Sequence, residues 1–158
     1  MYRETADFFG FNRKLQVKIY FLYSIEEYNF FCKKPFQNWI CGFTGNNNMI
    51  LVFPPSVIEK LTIHKKEYVS KIIAHELSHI IYGYTMKNCY NLFDEAIAVF
   101  TAKQRIFNNE EINLEKIDIF RKDLDFLYKE SPKIINYLIL KYGKERLFDF
   151  FKSISNEK

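Results

Sequence analysis

The chain has 158 residues, 48% of them apolar and 27% charged, which suits one globular core and requires no second domain. The net charge of +4, from 23 basic and 19 acidic residues, is scattered along the chain without the dense basic block that tracks phosphates, so nucleic acid is not an expected partner. No uncharged apolar stretch approaches the roughly 18 residues that span a bilayer, and the first residues carry acids in place of an apolar leader, so the expectation is a cytoplasmic protein with no membrane contact.

Taken in chain order, Tyr2 to Phe9 reads as a short helix. Leu15 to Tyr23 alternates Val17, Ile19, Phe21 and Tyr23 against Lys18, Tyr20 and Leu22, the pattern of a strand with one strongly apolar face. Ser24 opens a second helix through a Ser-x-x-Glu capping box with Glu27, and Lys33-Lys34-Pro35 closes it. Two apolar runs, Trp39 to Thr44 and Met49 to Phe53, flank Gly45-Asn46-Asn47-Asn48, whose residues tolerate left-handed backbone, so a hairpin is predicted, with Pro54-Pro55 ending it. From about Lys65 the pattern is helical, punctuated at Gly83, Asn108-Asn109, Ser131-Pro132 and Gly143. A small sheet followed by about four helices is an α+β arrangement. The cysteines, Cys32, Cys41 and Cys89, form no Cys-x-x-Cys pair, so neither a disulfide framework nor a zinc ribbon is indicated.

The segment His75-Glu76-Leu77-Ser78-His79 lies inside the first long helical stretch. At 3.6 residues per turn the two histidines fall about 40° apart on one face, while Ile73, Leu77, Ile80 and Ile81 fall on another. Such a helix buries its apolar side and aims two imidazoles from adjacent turns at one metal ion, with Glu76 about 100° from His75 and beside the metal. The chemistry fits: zinc lowers the pKa of bound water toward about 7, and an adjacent carboxylate can take its proton. The alternative is a helix that happens to carry these residues. With three His and 13 Glu, chance produces the pattern in roughly one in two hundred such sequences.

A catalytic zinc site takes a third protein ligand. Tyr82 and Thr85 stand where a His-Glu-x-x-His-x-x-Gly-x-x-His motif needs Gly and His, which excludes a third histidine from that pattern. Downstream, Asp94-Glu95-Ala96-Ile97-Ala98 offers Glu95, and Ala96, Ala98 and Ala102 allow its helix to pack close to the histidine helix.

With these residues the chain resembles the gluzincin metallopeptidases, in which His-Glu-x-x-His is followed by a Glu within Asn/Asp-Glu-(Ala/Gly)-x-Ala, and most nearly the small peptidase MA-like domains. The resemblance extends to Trp39-Ile40-Cys41-Gly42-Phe43, to Met49-Ile50-Leu51-Val52-Phe53 and to the stretch from Tyr128 through Leu138 to Gly143. It implies a zincin-like fold with a mostly antiparallel N-terminal sheet, Zn2+ held by His75, His79 and Glu95, Glu76 as general base, Asp94 behind the ligands, and a peptide or protein substrate paired to an edge strand at Gly42 to Thr44. Asp94 has a second reading, an acid at a helix N-terminus. The resemblance also implies that Tyr128 donates its hydroxyl to the oxyanion of the reaction, with packing as the competing reading. Glu130 and Pro132 depart from the family's Tyr-x-Gln-(Ala/Ser) pattern there. Val99 stands where thermolysin-like members carry an Asp that orients a histidine, so another acceptor must do so.

Two other readings stand beside this one. A regulatory metallopeptidase of the phage-repressor-cleaving type carries Glu-x-x-Ala-Asn-x-Phe-Ala, and the Asn is missing here. A non-catalytic zinc-binding domain acting as an interaction module would be marked by loss of the general base, and Glu76 is present; a latent enzyme could hold its own segment Lys144 to Lys158 across the cleft. The simpler fate of that segment is an amphipathic closing helix that buries Leu147, Phe148, Phe151 and Ile154. His64 reads as a surface residue with no role.

Overall fold

The computed structural model describes residues 1–86, 91–105 and 126–155 with the isolated positions 112 and 123. Cys89 and Asn108-Asn109 lie outside the described residues, as does the side chain of Ile154. The described elements are seven helices and a three-stranded sheet, a mixed α+β arrangement that is mostly helical. No helix among the described residues is long and apolar enough to cross a membrane.

Helix α1 (Tyr2–Phe9) stops at Gly10, whose left-handed backbone (φ 61°) lets its N–H reach back to the carbonyls of Ala6 and Asp7. Strand β1 (Lys18–Phe21) leads into α2 (Ile25–Cys32), and the Ser24 hydroxyl accepts from the Glu27 N–H as expected of an N-cap. The Glu27 carboxylate returns to the Tyr23 N–H at 2.6 Å, one residue before the position a capping box specifies. The helix ends at Cys32, because Lys33 turns left-handed.

Strands β2 (Gly42–Gly45) and β3 (Met49–Val52) form the predicted hairpin, with Asn47 and Asn48 both at φ 57°. The sheet order is β1-β3-β2, with β2 antiparallel and β1 parallel to the central β3. The sheet is therefore mixed, where a mostly antiparallel one was expected. A parallel partner needs a crossover, and the chain from β1 to β3 supplies it through α2. The apolar face expected of β1 is not buried either: Ile19, Tyr20 and Phe21 are all exposed. Helix α4 (Val69–Thr85) packs across β2 and β3, so the central strand is covered and the β1 edge is left outside.

After the short α3 (Ile58–Leu61) and a single 3-10 turn, α4 becomes the axis of the molecule. On one side its Ile72 joins Leu22, Tyr28, Leu51 and Phe53 in a core beneath the sheet. On the other, Leu77, Ile80 and Ile81 join Phe9, Ala96, Ile97 and Phe151 in a core among the helices. Each such apolar side chain contributes about 1.5–3 kcal/mol on burial. Gly83 does not stop this helix, which runs through it to Thr85. Helix α5 (Asn91–Thr101) lies against α4, as expected, with Ala96 and Ala98 on it and Ala102 just after it all buried.

A π-helical turn at Phe126–Glu130 opens directly into α6 (Ser131–Tyr142), with Pro132 in the first turn where its missing N–H costs nothing. Gly143 (φ 84°) separates α6 from α7 (Lys144–Ser155). Helix α7 buries Leu147, Phe148 and Phe151 against α1 and α5 and is a closing helix, not a segment across the cleft.

Gly42 is where β2 meets α4. A Cβ there would sit 2.7 Å from Ile72 Cγ2 and 3.1 Å from the Leu51 carbonyl oxygen, and the β-branched Ile72 has little rotamer freedom with which to yield. Gly42→Ala is expected to lower stability by about 1–3 kcal/mol through overpacking. Gly83→Ala, with nothing within 4 Å of its added methyl, is expected to gain about 0.5–1 kcal/mol. Chemical denaturation of the two variants checks the pair, and a neutral Gly42→Ala would contradict the close packing of β2 on α4.

Candidate metal centre

His75, Glu76 and His79 project from the middle of α4, which the two flanking cores hold rigidly. His75 and Glu76 are buried, and His79 and Glu95 are largely so. The Nε2 atoms of His75 and His79 stand 3.0 Å apart. Glu95, in the first turns of α5, places Oε2 3.5 Å from His75 Nε2 and Oε1 3.7 Å from His79 Nε2. These three side chains form the group among the described residues that could hold a metal ion.

The hydrogen bonds around the rings decide their tautomers. His79 Nδ1 lies 2.7 Å from Asp94 Oδ1, and a carboxylate oxygen only accepts, so this nitrogen carries the proton. His75 Nδ1 lies 3.1 Å from Gln104 Oε1 and likewise donates. With both Nδ1 atoms committed to protein acceptors, the two Nε2 atoms face each other at 3.0 Å, and a proton or a metal ion between them is what holds them that close. Metal–ligand bonds of about 2.0–2.1 Å in tetrahedral array set ligand atoms about 3.3 Å apart. The Nε2–Nε2 separation of 3.0 Å and the approaches of the two Glu95 oxygens, 3.5 Å from Oε2 to His75 and 3.7 Å from Oε1 to His79, are of that order. Glu95 Oε2 is also buried with no hydrogen-bond partner among the described residues, a costly state for a carboxylate oxygen that a metal ion would relieve.

The ionisation of the group is consistent with a site built for positive charge. Burial disfavours a charged His79, yet its hydrogen bond to Asp94 and the negative charges of Asp94, Glu76 and Glu95 hold its pKa up at about 9. For Glu95, burial acts to raise the pKa, but the His75 ring and the charge on His79 outweigh it and keep the carboxyl below its ordinary value. Tyr128 is pushed above the normal phenol range, first by burial and then by the Glu95 charge, so its hydroxyl stays protonated. Burial and the Glu76 charge raise Cys41 to about 12, so it stays a thiol.

No family model, curated protein or solved structure matches this chain.

The group opens into a cleft of about 950 Å³ whose lining includes Trp39, Thr44, His64, Tyr68, Glu76 and Tyr128. Every residue singled out from the sequence is here: His75, Glu76, His79, Asp94, Glu95 and Tyr128. The Tyr128 ring stacks on that of His75, with centroids 6.2 Å apart, and meets Trp39 edge-on at 6.5 Å. His64, read as a surface residue, is partly exposed and lines the cleft: its Nε2 lies 2.8 Å from the Trp39 carbonyl oxygen and its ring meets Tyr68.

Sequence reasoning missed two contributors. Gln104 supplies the acceptor for His75 that the apolar side chain of Val99 cannot. It reaches the site because Lys103 turns left-handed (φ 51°) after α5 and the Gln104 N–H returns to the Val99 carbonyl at 3.2 Å. Thr44, on β2, places Oγ1 2.8 Å from Glu76 Oε2. The helix pair is further tied by Thr101 Oγ1 donating to Ser78 Oγ at 3.0 Å, just behind the histidines.

If Asp94 and Gln104 hold the imidazoles in these tautomers, Asp94→Asn and Gln104→Ala will each weaken metal affinity by about 10–100-fold while leaving the fold intact. Competition titration against a chromophoric chelator measures this, and unchanged affinity in both variants would contradict it.

Proposed function

We propose that the chain is a zinc-dependent peptidase of the gluzincin type, with His75, His79 and Glu95 as the zinc ligands, Glu76 as the general base and a peptide or protein as substrate. The observation that carries the reading is the convergence of two imidazole Nε2 atoms, 3.0 Å apart, on the Glu95 carboxylate within an open cleft. Two nitrogens and one carboxylate oxygen form a donor set suited to zinc, and three protein ligands leave a position for water, as a catalytic rather than a structural site requires.

When bound, zinc acidifies a water molecule and polarises a carbonyl oxygen. The chain's own residues supply the rest. Glu76 stands one residue from His75 on the same turn and faces the cleft, where it accepts the proton of the water that attacks the peptide carbonyl. As the C–N bond breaks, Glu76 passes that proton to the departing amine. Tyr128, protonated and stacked on His75, is the O–H donor on hand for the developing oxyanion. The open edge of β2 suits an extended peptide, which pairs through its main chain as an added strand. Trp39, Tyr68 and Tyr128 give the cleft a wall of rings against which side chains can pack.

The metal content of the wild type and of His79→Ala, Glu95→Ala and Glu76→Gln, followed by cleavage of a peptide library read by mass spectrometry, tests this reading. His79→Ala and Glu95→Ala are expected to lose the metal. Glu76→Gln is expected to keep it and to lose about 10²–10⁴-fold in turnover. Full activity in Glu76→Gln would sink the mechanism, and undiminished zinc affinity in Glu95→Ala would sink the ligand set.

A further inference from the structure

Thr44 sits where strand β2, α4 and the cleft meet. Its hydroxyl lies 2.8 Å from Glu76 Oε2 and 3.1 Å from the Glu76 carbonyl oxygen, a contact between residues 32 apart in sequence. A hydroxyl has one proton, and the shorter distance together with the carboxylate's charge directs it to Oε2, a charge-assisted bond. Glu76 is 7% exposed, and this is its side-chain hydrogen bond among the described residues.

The backbone of the same residue faces the other way. Phe53 N–H donates to the Cys41 carbonyl at 3.1 Å, and the register pairs Phe43 with Leu51 and Gly45 with Met49. In an antiparallel ladder bonded pairs alternate, so the N–H and C=O of Phe43 and Gly45 face β3 while those of Gly42 and Thr44 face the open edge. Among the described residues nothing pairs with that edge. Thr44 therefore presents main-chain donor and acceptor groups to the cleft's free edge and its side chain to Glu76. The tight approach at Gly42, where no Cβ fits against Ile72, holds the strand close enough to α4 for the hydroxyl to reach.

We propose that Thr44 is a positioning residue that fixes the Glu76 carboxylate relative to the β2 edge, so that a peptide paired to this strand meets the base in register. This rests on the peptidase reading above. Displacing a catalytic group by about 1 Å can cost about 10²-fold in rate, which is the scale of effect one orienting hydrogen bond controls.

The test compares zinc-loaded wild type with Thr44→Val, Thr44→Ala and Thr44→Ser on one cleaved peptide, with Glu76→Gln as the reference for loss of the base. Thr44→Val keeps the β-branched shape without the hydroxyl, Thr44→Ala guards against a fault of the added methyl, and Thr44→Ser restores the O–H. The expected result is a 10–100-fold fall in kcat for Thr44→Val and Thr44→Ala with KM within about twofold. Zinc stoichiometry is expected to be unchanged and kcat to return to within about threefold of wild type in Thr44→Ser, by the same positioning argument. Glu76-dependent cleavage that Thr44→Val or Thr44→Ala leaves at full kcat overturns the role of Thr44 alone. Equal losses in Thr44→Ser and Thr44→Val overturn it too, because they would trace to the packing of β2. Wild-type protein that cleaves no peptide overturns the peptidase reading and the positioning role with it.

Discussion

The approach of two imidazole nitrogens to 3.0 Å on a buried helix is the constraint around which this molecule is arranged. Both Nδ1 atoms are committed to Asp94 and Gln104, so a proton or a metal ion between the Nε2 atoms is what holds them that close, and the buried Glu95 Oε2, without a hydrogen-bond partner among the described residues, adds a cost of its own. Against a total stability of about 5–15 kcal/mol for a native domain, such a cluster must be held by strong packing. Helix α4 has that packing: it lies between two cores, and Ile81 and Ile72 anchor it on either side of the histidines. Helix α5 packs against α4 and thereby delivers Asp94 and Glu95 together.

The sheet serves the same site from the opposite side. Ile50, Leu51 and Val52 of its central strand β3 are fully buried, whereas β2 is left as an edge whose hydroxyl-bearing residue touches Glu76. Strand β2, helices α4 and α5 and the π-helical turn thus meet in a single cleft. The ring of Tyr128, delivered by that turn, stacks on His75 and joins the metal group to the aromatic wall.

Much of this was legible in the sequence because it is local. Helical periodicity placed His75 and His79 on one face, small residues announced the close α4–α5 contact, and the Asn-rich loop announced the β2–β3 hairpin. What was not legible depends on contacts between distant parts of the chain. The alternation in Lys18–Phe21 has the period of a half-buried strand, but period does not say which strand a helix will cover, and α4 covers β2 and β3. Nor does it reveal that β1 pairs in parallel, which follows from the crossover through α2. Gln104 reaches His75 only after a left-handed residue at Lys103 folds the chain back, and a lysine carries no signal for that turn. His64 looked like surface because its place beside Trp39 is set by a loop rather than by a repeat.

The claim that one metal ion completes the His75–His79–Glu95 group is tested most directly by X-ray absorption at the zinc edge of the zinc-titrated protein. One equivalent of zinc is expected, with a nitrogen and oxygen shell at about 2.0–2.1 Å and the outer-shell scattering of two imidazoles. A sulfur shell at about 2.3 Å would place the ion on a cysteine and contradict the account. A pure hydration shell without imidazole scattering would contradict it as well.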